Sequence, residues 1–417
     1  MVPTDPSRRE VHPQSLLILG RLFASQDSEL PRSNSLRQPH LPLDISEHVN
    51  TIQVFGPAYL DRVLVVDRPI VDPRFSKPLD LSAEGIWEAG EGLTLVDPEG
   101  TTIVVELPAD WPGPTGLIAL SRSLGDGIPE RCRTVAGQSW HDDLGGMGAG
   151  YASALGGGLV SALGPESDPL SMFISQALVE QGIEHHPIRI HGATADSTLL
   201  VTSGPFGDKL PVGFRGCHSQ IVTLAEFVRE ADLRVVAGLP NRVAADVLRA
   251  PGKALRFFAP ALRNMTDREC PVASFAGAID LLCCNRSEWE SLEGREQVAW
   301  QVAILVITDG AEGSLVRFTT EQGEPGEIRL TAFPRRSPPI DTNRAGEAFG
   351  ARFVTTLLEH RWKGGVASPV LIREAALKAS AAAALELDFE RFGFPSEQAI
   401  GEAIRNGRVG PLESRCD

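Results

Sequence analysis

A chain of 417 residues with 42% apolar side chains can bury a large core, in one α/β domain with an appendage or in two or three smaller domains. Its formal charge of −15 repels phosphodiester backbones and anionic lipid, so neither nucleic acid nor membrane is expected as a partner. Six cysteines without a CxxC pair make neither a disulfide framework nor a structural zinc site, and no apolar stretch nears the ~20 residues of a membrane span. The run Leu16-Leu-Ile-Leu19 is too short for a secretory leader, so the expected location is the cytoplasm.

Residues 1–49 are rich in Pro, Ser, Arg and Asp with weak periodicity, and are expected to form a mobile extension. Order should begin with an apolar strand over 51–55, closed by Gly56, opening a domain that runs over 50–410. Between 69 and 139 the pattern changes. Leu93-Thr-Leu-Val96 and Thr102-Ile-Val-Val-Glu-Leu107 flank the turn residues Pro98-Glu-Gly100 and read as antiparallel strands of an inserted β-rich lid. After Gly145 helical and strand patterns alternate. Pro169 opens and Gly182 closes a helix with Leu170, Phe173, Ile174, Ala177 and Leu178 on one face. The runs at 233–239, 279–283 and 302–307 are short and almost wholly apolar, as central parallel strands covered on both faces must be; Cys283 and Cys284 therefore read as buried thiols. A helix over 345–359 puts Phe349, Phe353 and Leu357 on one side, and an alanine-rich helix follows over 375–387. The expected class is α/β, with a mostly parallel sheet flanked by helices.

The chemistry concentrates in Ile340-Asp-Thr-Asn-Arg-Ala-Gly-Glu-Ala-Phe-Gly350. A turn of small and polar residues running into an amphipathic helix aims the N–H groups of Arg344, Ala345 and Gly346 at one point, where they stabilise an anion. Glu347, in the first turn, stands where it can take a proton from a hydroxyl beside that anion. Taken alone, an ordinary capped helix accounts for the pattern equally well. His185, His186 and His191 suggest a metal site only weakly, because residues so spaced on a short strand rarely converge; a surface strand is the better account. No Gly-x-x-x-x-Gly-Lys-Ser/Thr loop occurs, and Gly146-Met-Gly-Ala-Gly150 lacks the spacing of a dinucleotide fingerprint.

Asp341-Thr-Asn-Arg-Ala-Gly-Glu347 resembles the Asp-Thr-x-Gly-Ala-Gly-Asp signature of the ribokinase-like, phosphofructokinase-B family of sugar and nucleoside kinases, and further landmarks follow in the family's order over 51–400. Gly56-Pro-Ala-Tyr-Leu-Asp61 resembles the first strand exit, and Gly145-Gly-Met-Gly-Ala-Gly150 the glycine pair. Asn285-Arg-Ser-Glu288 resembles the Asn-x-x-Glu motif, and Thr308-Asp-Gly-Ala-Glu-Gly313 the nucleotide turn. The resemblance implies a ribokinase-like fold and transfer of the γ-phosphoryl group of ATP to a hydroxyl of a small carbohydrate, polyol or nucleoside. It implies Glu347 as base, an anion hole at Arg344, Ala345 and Gly346, and substrate contacts at Asp61, Gly145, Gly146 and Asp341. Asn285 and Glu288 would hold Mg²⁺ through water, with Thr308, Gly310 and Gly313 against the nucleotide; a monovalent cation is a further companion the family allows, and its lids allow a homodimer. Each landmark has a plain structural alternative: a turn-capping Asp61, a helix-capping pair Asn285 and Glu288, tight turns at the glycines.

The sequence departs from the family at three places. Glu347 replaces an Asp, Arg344 a Gly, and Gly150 an Asn. These changes keep a rival reading in view: a catalytically impaired relative that binds nucleotide or sugar as a sensor or scaffold.

Overall fold

A computed structural model describes residues 51–67, 92–96, 102–106, 132–202, 209–214 and 216–409. The expected extension over 1–49 and most of the expected lid over 69–139 lie outside these residues. Contacts divide the chain into two compact units, residues 1–39 with 73–138 and residues 40–72 with 139–417.

The larger unit opens with β1 (Ile52–Phe55) and β2 (Tyr59–Val66). In the smaller unit β3 (Gly92–Val96) runs antiparallel to β4 (Thr102–Glu106), as the sequence pattern predicts, and β4 pairs in parallel with the first part of β5 (Cys132–Gly145). That strand escapes sequence reading because Val135, Ala136, Trp140 and Leu144 are scattered among polar residues, with neither a long apolar run nor clean alternation.

From β5 onward the larger unit alternates as expected: α1 (Met147–Leu155), β6 (Gly158–Leu163), α2 (Pro169–Glu180), β7 (His185–Arg189), β8 (Ser197–Thr202), β9 (Lys209–Phe214), β10 (Leu233–Ala237), α3 (Asn241–Arg249) and β11 (Leu255–Ala259). A short helix α4 (Leu262–Met265) leads to β12 (Leu281–Asn285), α5 (Arg286–Ser291), α6 (Arg295–Gln301), β13 (Ile304–Thr308), β14 (Ser314–Thr319) and β15 (Pro325–Leu330). Three helices finish it: α7 (Ala345–Glu359), α8 (Pro369–Glu386) and α9 (Glu397–Asn406). The alanine-rich helix begins six residues before its expected start, because Ser368 caps it by accepting from the Leu371 N–H and Pro369 occupies its first position.

Nine strands form the main sheet in the order β15-β14-β13-β12-β11-β10-β1-β6-β7. Every pair from β7 to β13 is parallel; β14 and β15 add an antiparallel edge. The nearly continuous apolar runs arise because both faces are covered. Phe257 of β11 packs into the core beneath α1, α7 and α8, whereas its neighbour Phe258 packs into the core beneath α3, and both are 0% exposed. Cys283 and Cys284 divide in the same way. Burial pushes the Cys283 thiol up to about 12. The chain leaves β1 toward β6 on one side and returns at β10 on the other. Open parallel sheets form ligand crevices beyond the carboxyl ends of such strands. A smaller sheet in this unit has the order β5-β2-β8-β9.

Candidate active site

A cavity of about 190 Å³ is lined by Tyr59, Asp61, Leu144, Gly145, Gly146, Met147, Asn343, Arg344, Glu347 and Phe392. The end of β5, the start of β2 and the start of α7 thus bring Asp61, Gly145, Gly146, Arg344 and Glu347 together, although they lie far apart in the sequence. Glycine is required at the first junction. A Cβ on Gly145 would stand 2.3 Å from the Asp61 carboxyl, and Gly146 adopts φ 102° with its missing Cβ aimed at the Pro57 carbonyl 2.3 Å away. The pair lets the backbone close against Asp61 and turn at once into α1.

At α7 the first N–H groups have no carbonyl of an earlier turn to meet, and no side chain caps the helix. A Cβ built on Gly346 would find nothing within 4 Å, so the helix end faces open space. Arg344 is the N-cap residue and adopts φ 62°, the left-handed conformation that suits a glycine. Its guanidinium is drawn sideways. Nε lies 3.2 Å from Oε1 of Glu386, and two terminal nitrogens lie 3.8 Å from carboxylates of Asp143 and Asp341. The ring of Phe392 packs 5.8 Å from its centre. Glu386 is 0% exposed, and desolvation raises its carboxyl to about 8 despite the opposing pull of Arg344. Desolvation also raises Asp143, against Arg344 and the Phe392 and Leu144 amides. Asp143 in turn anchors the cavity wall by accepting from the Phe392 N–H at 2.7 Å.

Asp341 takes a structural part. Its Oδ1 accepts from the Asn343 N–H at 2.9 Å and its Oδ2 from the Asn343 side-chain amide at 3.1 Å, and it is not among the residues lining the cavity. It therefore shapes the turn before α7.

The remaining landmarks sit at the carboxyl ends of two adjacent strands, where Asn285 of β12 pairs in register with Thr308 of β13. Asn285 accepts from the Glu288 N–H and Glu288 accepts from the Asn285 N–H, both at 2.8 Å, so the capping box weighed as an alternative is formed. It does not exhaust the oxygens: an ionised carboxylate offers about four acceptor sites, and oxygen donors partly open to solvent fit a hard cation such as Mg²⁺. Gly310 and Gly313 turn the chain at φ 51° and 98° into β14. The two regions share neighbours. Burial raises the Tyr151 hydroxyl well above its ordinary range, with Cys283, Glu347 and Glu288 adding to it, and the Cys283 thiol is raised by burial with the same two glutamates adding.

Tyr59, Asn343, Phe392, Asp143 and Glu386 were not foreseen. Asn343 fills the variable position of the signature. Phe392 and Asp143 lie in no motif. Glu386 left one usable trace, an acid inside an otherwise alanine-rich helix. The histidine strand is as expected: Ser161 meets His185 at 2.7 Å, burial pushes that imidazole down to about 4, and His186 faces Glu184. Asp196, Cys217 and His218 form the one group of metal-ligand type among the described residues. All three are buried; the Ala162 N–H donates to Nε2 of His218, and its Nδ1 lies 2.8 Å from Oδ2 of Asp196.

The pfkB family carbohydrate kinase profile matches residues 120–388. The chain belongs to the pfkB carbohydrate kinase family. Among solved structures it is similar to ribokinase from Giardia lamblia, with TM-score 0.59 and 17% identity over 86% of this chain and 100% of that one. It is similar to the Methanocaldococcus jannaschii nucleoside kinase, with TM-score 0.54 and 14% identity over 86% and 98%. The Arabidopsis thaliana ribokinase complexed with ribose and ATP matches with TM-score 0.52 and 15% identity over 85% and 99%. At such identities these likenesses carry the fold alone. No curated protein matches the chain. The pfkB fold places the cavity at the carboxyl-end crevice of the parallel sheet, and among the described residues no helix is long and apolar enough to cross a membrane.

Proposed function

We propose that this pfkB protein is an active ATP-dependent kinase that phosphorylates a hydroxyl of a small, neutral carbohydrate or polyol in the cytoplasm. One observation carries the reading: Asp61 and Glu347 line the same cavity, at a helix end facing open space. Asp61, an acceptor only when ionised, holds substrate hydroxyls. Glu347 receives the proton of the attacking hydroxyl. The N-terminus of α7, through Ala345 and Gly346, stabilises the charge that builds up as that oxygen attacks. ATP supplies the phosphoryl group, and Mg²⁺ near Asn285 and Glu288 would neutralise its charge. Placement and electrostatics suffice for this chemistry.

The cavity's size supports a monosaccharide-sized acceptor, being smaller than the roughly 300–1,000 Å³ of sites for larger ligands. Its charge supports a neutral one, since Asp61 and Glu347 line it and its single guanidinium, that of Arg344, already lies against Asp143, Asp341 and Glu386. Arg344, the residue that could have obstructed the helix end, is held by Glu386. Free thiols at Cys217, Cys270, Cys283 and Cys284 suit a reducing compartment.

Turnover of ATP against a panel of pentoses, hexoses and polyols, with Glu347→Gln beside the native protein, tests the proposal. Loss of the base should lower kcat by ~10²–10⁴-fold while leaving nucleotide affinity intact. Equal and negligible rates for both proteins would instead favour a sensor or scaffold.

A further inference from the structure

The first turns of α1 and α7 approach each other beneath the cavity. A Cβ added to Gly150 would stand 3.1 Å from Cγ and 3.5 Å from Cβ of Glu347, with the Phe394 ring 3.6 Å away on a further side. The contact at 3.1 Å is tighter than side chains ordinarily keep, so any larger residue at 150 must displace Glu347. One turn on, Gly350 of α7 meets the same helix: its missing Cβ points at the Tyr151 hydroxyl 2.5 Å away and at Phe257 at 3.1 Å. Tyr151 cannot yield, because its ring is buried and packs edge-on against Phe257 with centroids 5.2 Å apart. The helix spacing is therefore fixed one turn from Glu347. The clearance between the two helices at Glu347 therefore depends on residue 150.

We propose that Gly150 is a positioning residue for the Glu347 carboxylate. The absent side chain is the space into which the Glu347 stem settles, and the identity of residue 150 decides how far the acid reaches into the cavity. The two positions form a steric pair: a long acid requires glycine behind it, and a shorter acid tolerates a side chain there. Gly150 is not among the cavity-lining residues. This inference rests on the kinase reading for its catalytic consequence, but the contact itself does not.

The test is a double-mutant cycle of Gly150→Asn and Glu347→Asp, read in two ways on the full chain. Thermal unfolding without ligand reports the contact: Gly150→Asn should lower the Tm in the native background and lower it much less when residue 347 is shortened. Steady-state kinetics report positioning. Each single variant should lose ~10–100-fold in kcat, since displacements near 1 Å cost about that much, while the KM for ATP stays within about twofold. The double variant should recover at least tenfold over Gly150→Asn, a rescue that a merely destabilised protein would not give. Additive Tm shifts would overturn the contact. Coupled Tm shifts with additive kcat losses would overturn the positioning role. If the native protein phosphorylates no acceptor yet the Tm shifts couple, the kinase reading fails and the steric pair stands.

Discussion

Replacing Arg344 by glycine sets two opposite effects against each other. The backbone at φ 62° is left-handed, which costs a residue with a Cβ about 1–2 kcal/mol, and glycine would return that amount. Against it stands Glu386, 0% exposed and 3.2 Å from the Arg344 Nε. Its folded-state value near 8 lies above the ordinary 4.5, so its protonation contributes stability in full below pH 4.5, and that contribution is lost as pH rises toward 8. Without the guanidinium, the acid should hold its proton to higher pH still. The variant then keeps losing stability above pH 8, at no more than about 1.4 kcal/mol per pH unit, where the native protein has levelled off. Near pH 7 the acid is protonated, so the cost is that of a lost hydrogen bond, about 1–3 kcal/mol, largely offset by relieved strain. By pH 9.5 the penalty should approach the ~3 kcal/mol expected when a buried charge loses its partner. Urea unfolding of both proteins at pH 7 and 9.5 measures the difference, and Glu386→Gln in the variant should flatten it. A penalty that stays constant across this range would refute the role given to Glu386.

Three other outcomes follow from the site. Gly146→Ala forces a Cβ toward the Pro57 carbonyl at a φ that alanine rarely adopts, so it should cost about 2–4 kcal/mol of stability by thermal unfolding and abolish acceptor binding. Asp61→Asn keeps the shape but removes an anionic acceptor; KM for the acceptor should rise ~10–100-fold with KM for ATP unchanged, as steady-state kinetics would show. Chelation of divalent cations should stop turnover without unfolding the protein, whereas Asn285→Ala should both weaken Mg²⁺ dependence and lower stability by about 1 kcal/mol through the lost cap.

The sheet was legible because its strands are covered on two faces and must be apolar throughout, as at 233–237 and 304–308. The helix after 341–344 was legible because a polar turn runs straight into the apolar face of Phe349, Phe353 and Leu357. β5 was not, since its few apolar residues are scattered without a period. The ring of acids around Arg344 was hidden for another reason: Asp143, Glu386 and Phe392 come together only through tertiary packing, and none is spaced so that its chain neighbours reveal it.

The hydrogen bond from Phe392 to Asp143 spans 249 positions. A ribosome delivers the strand carrying Asp143 long before the segment that seals the pocket wall, and Glu347 itself comes late. During synthesis the parallel sheet can assemble while the cavity still lacks a side. An unfinished copy would therefore carry a folded sheet with the cavity open on the side that Phe392 closes.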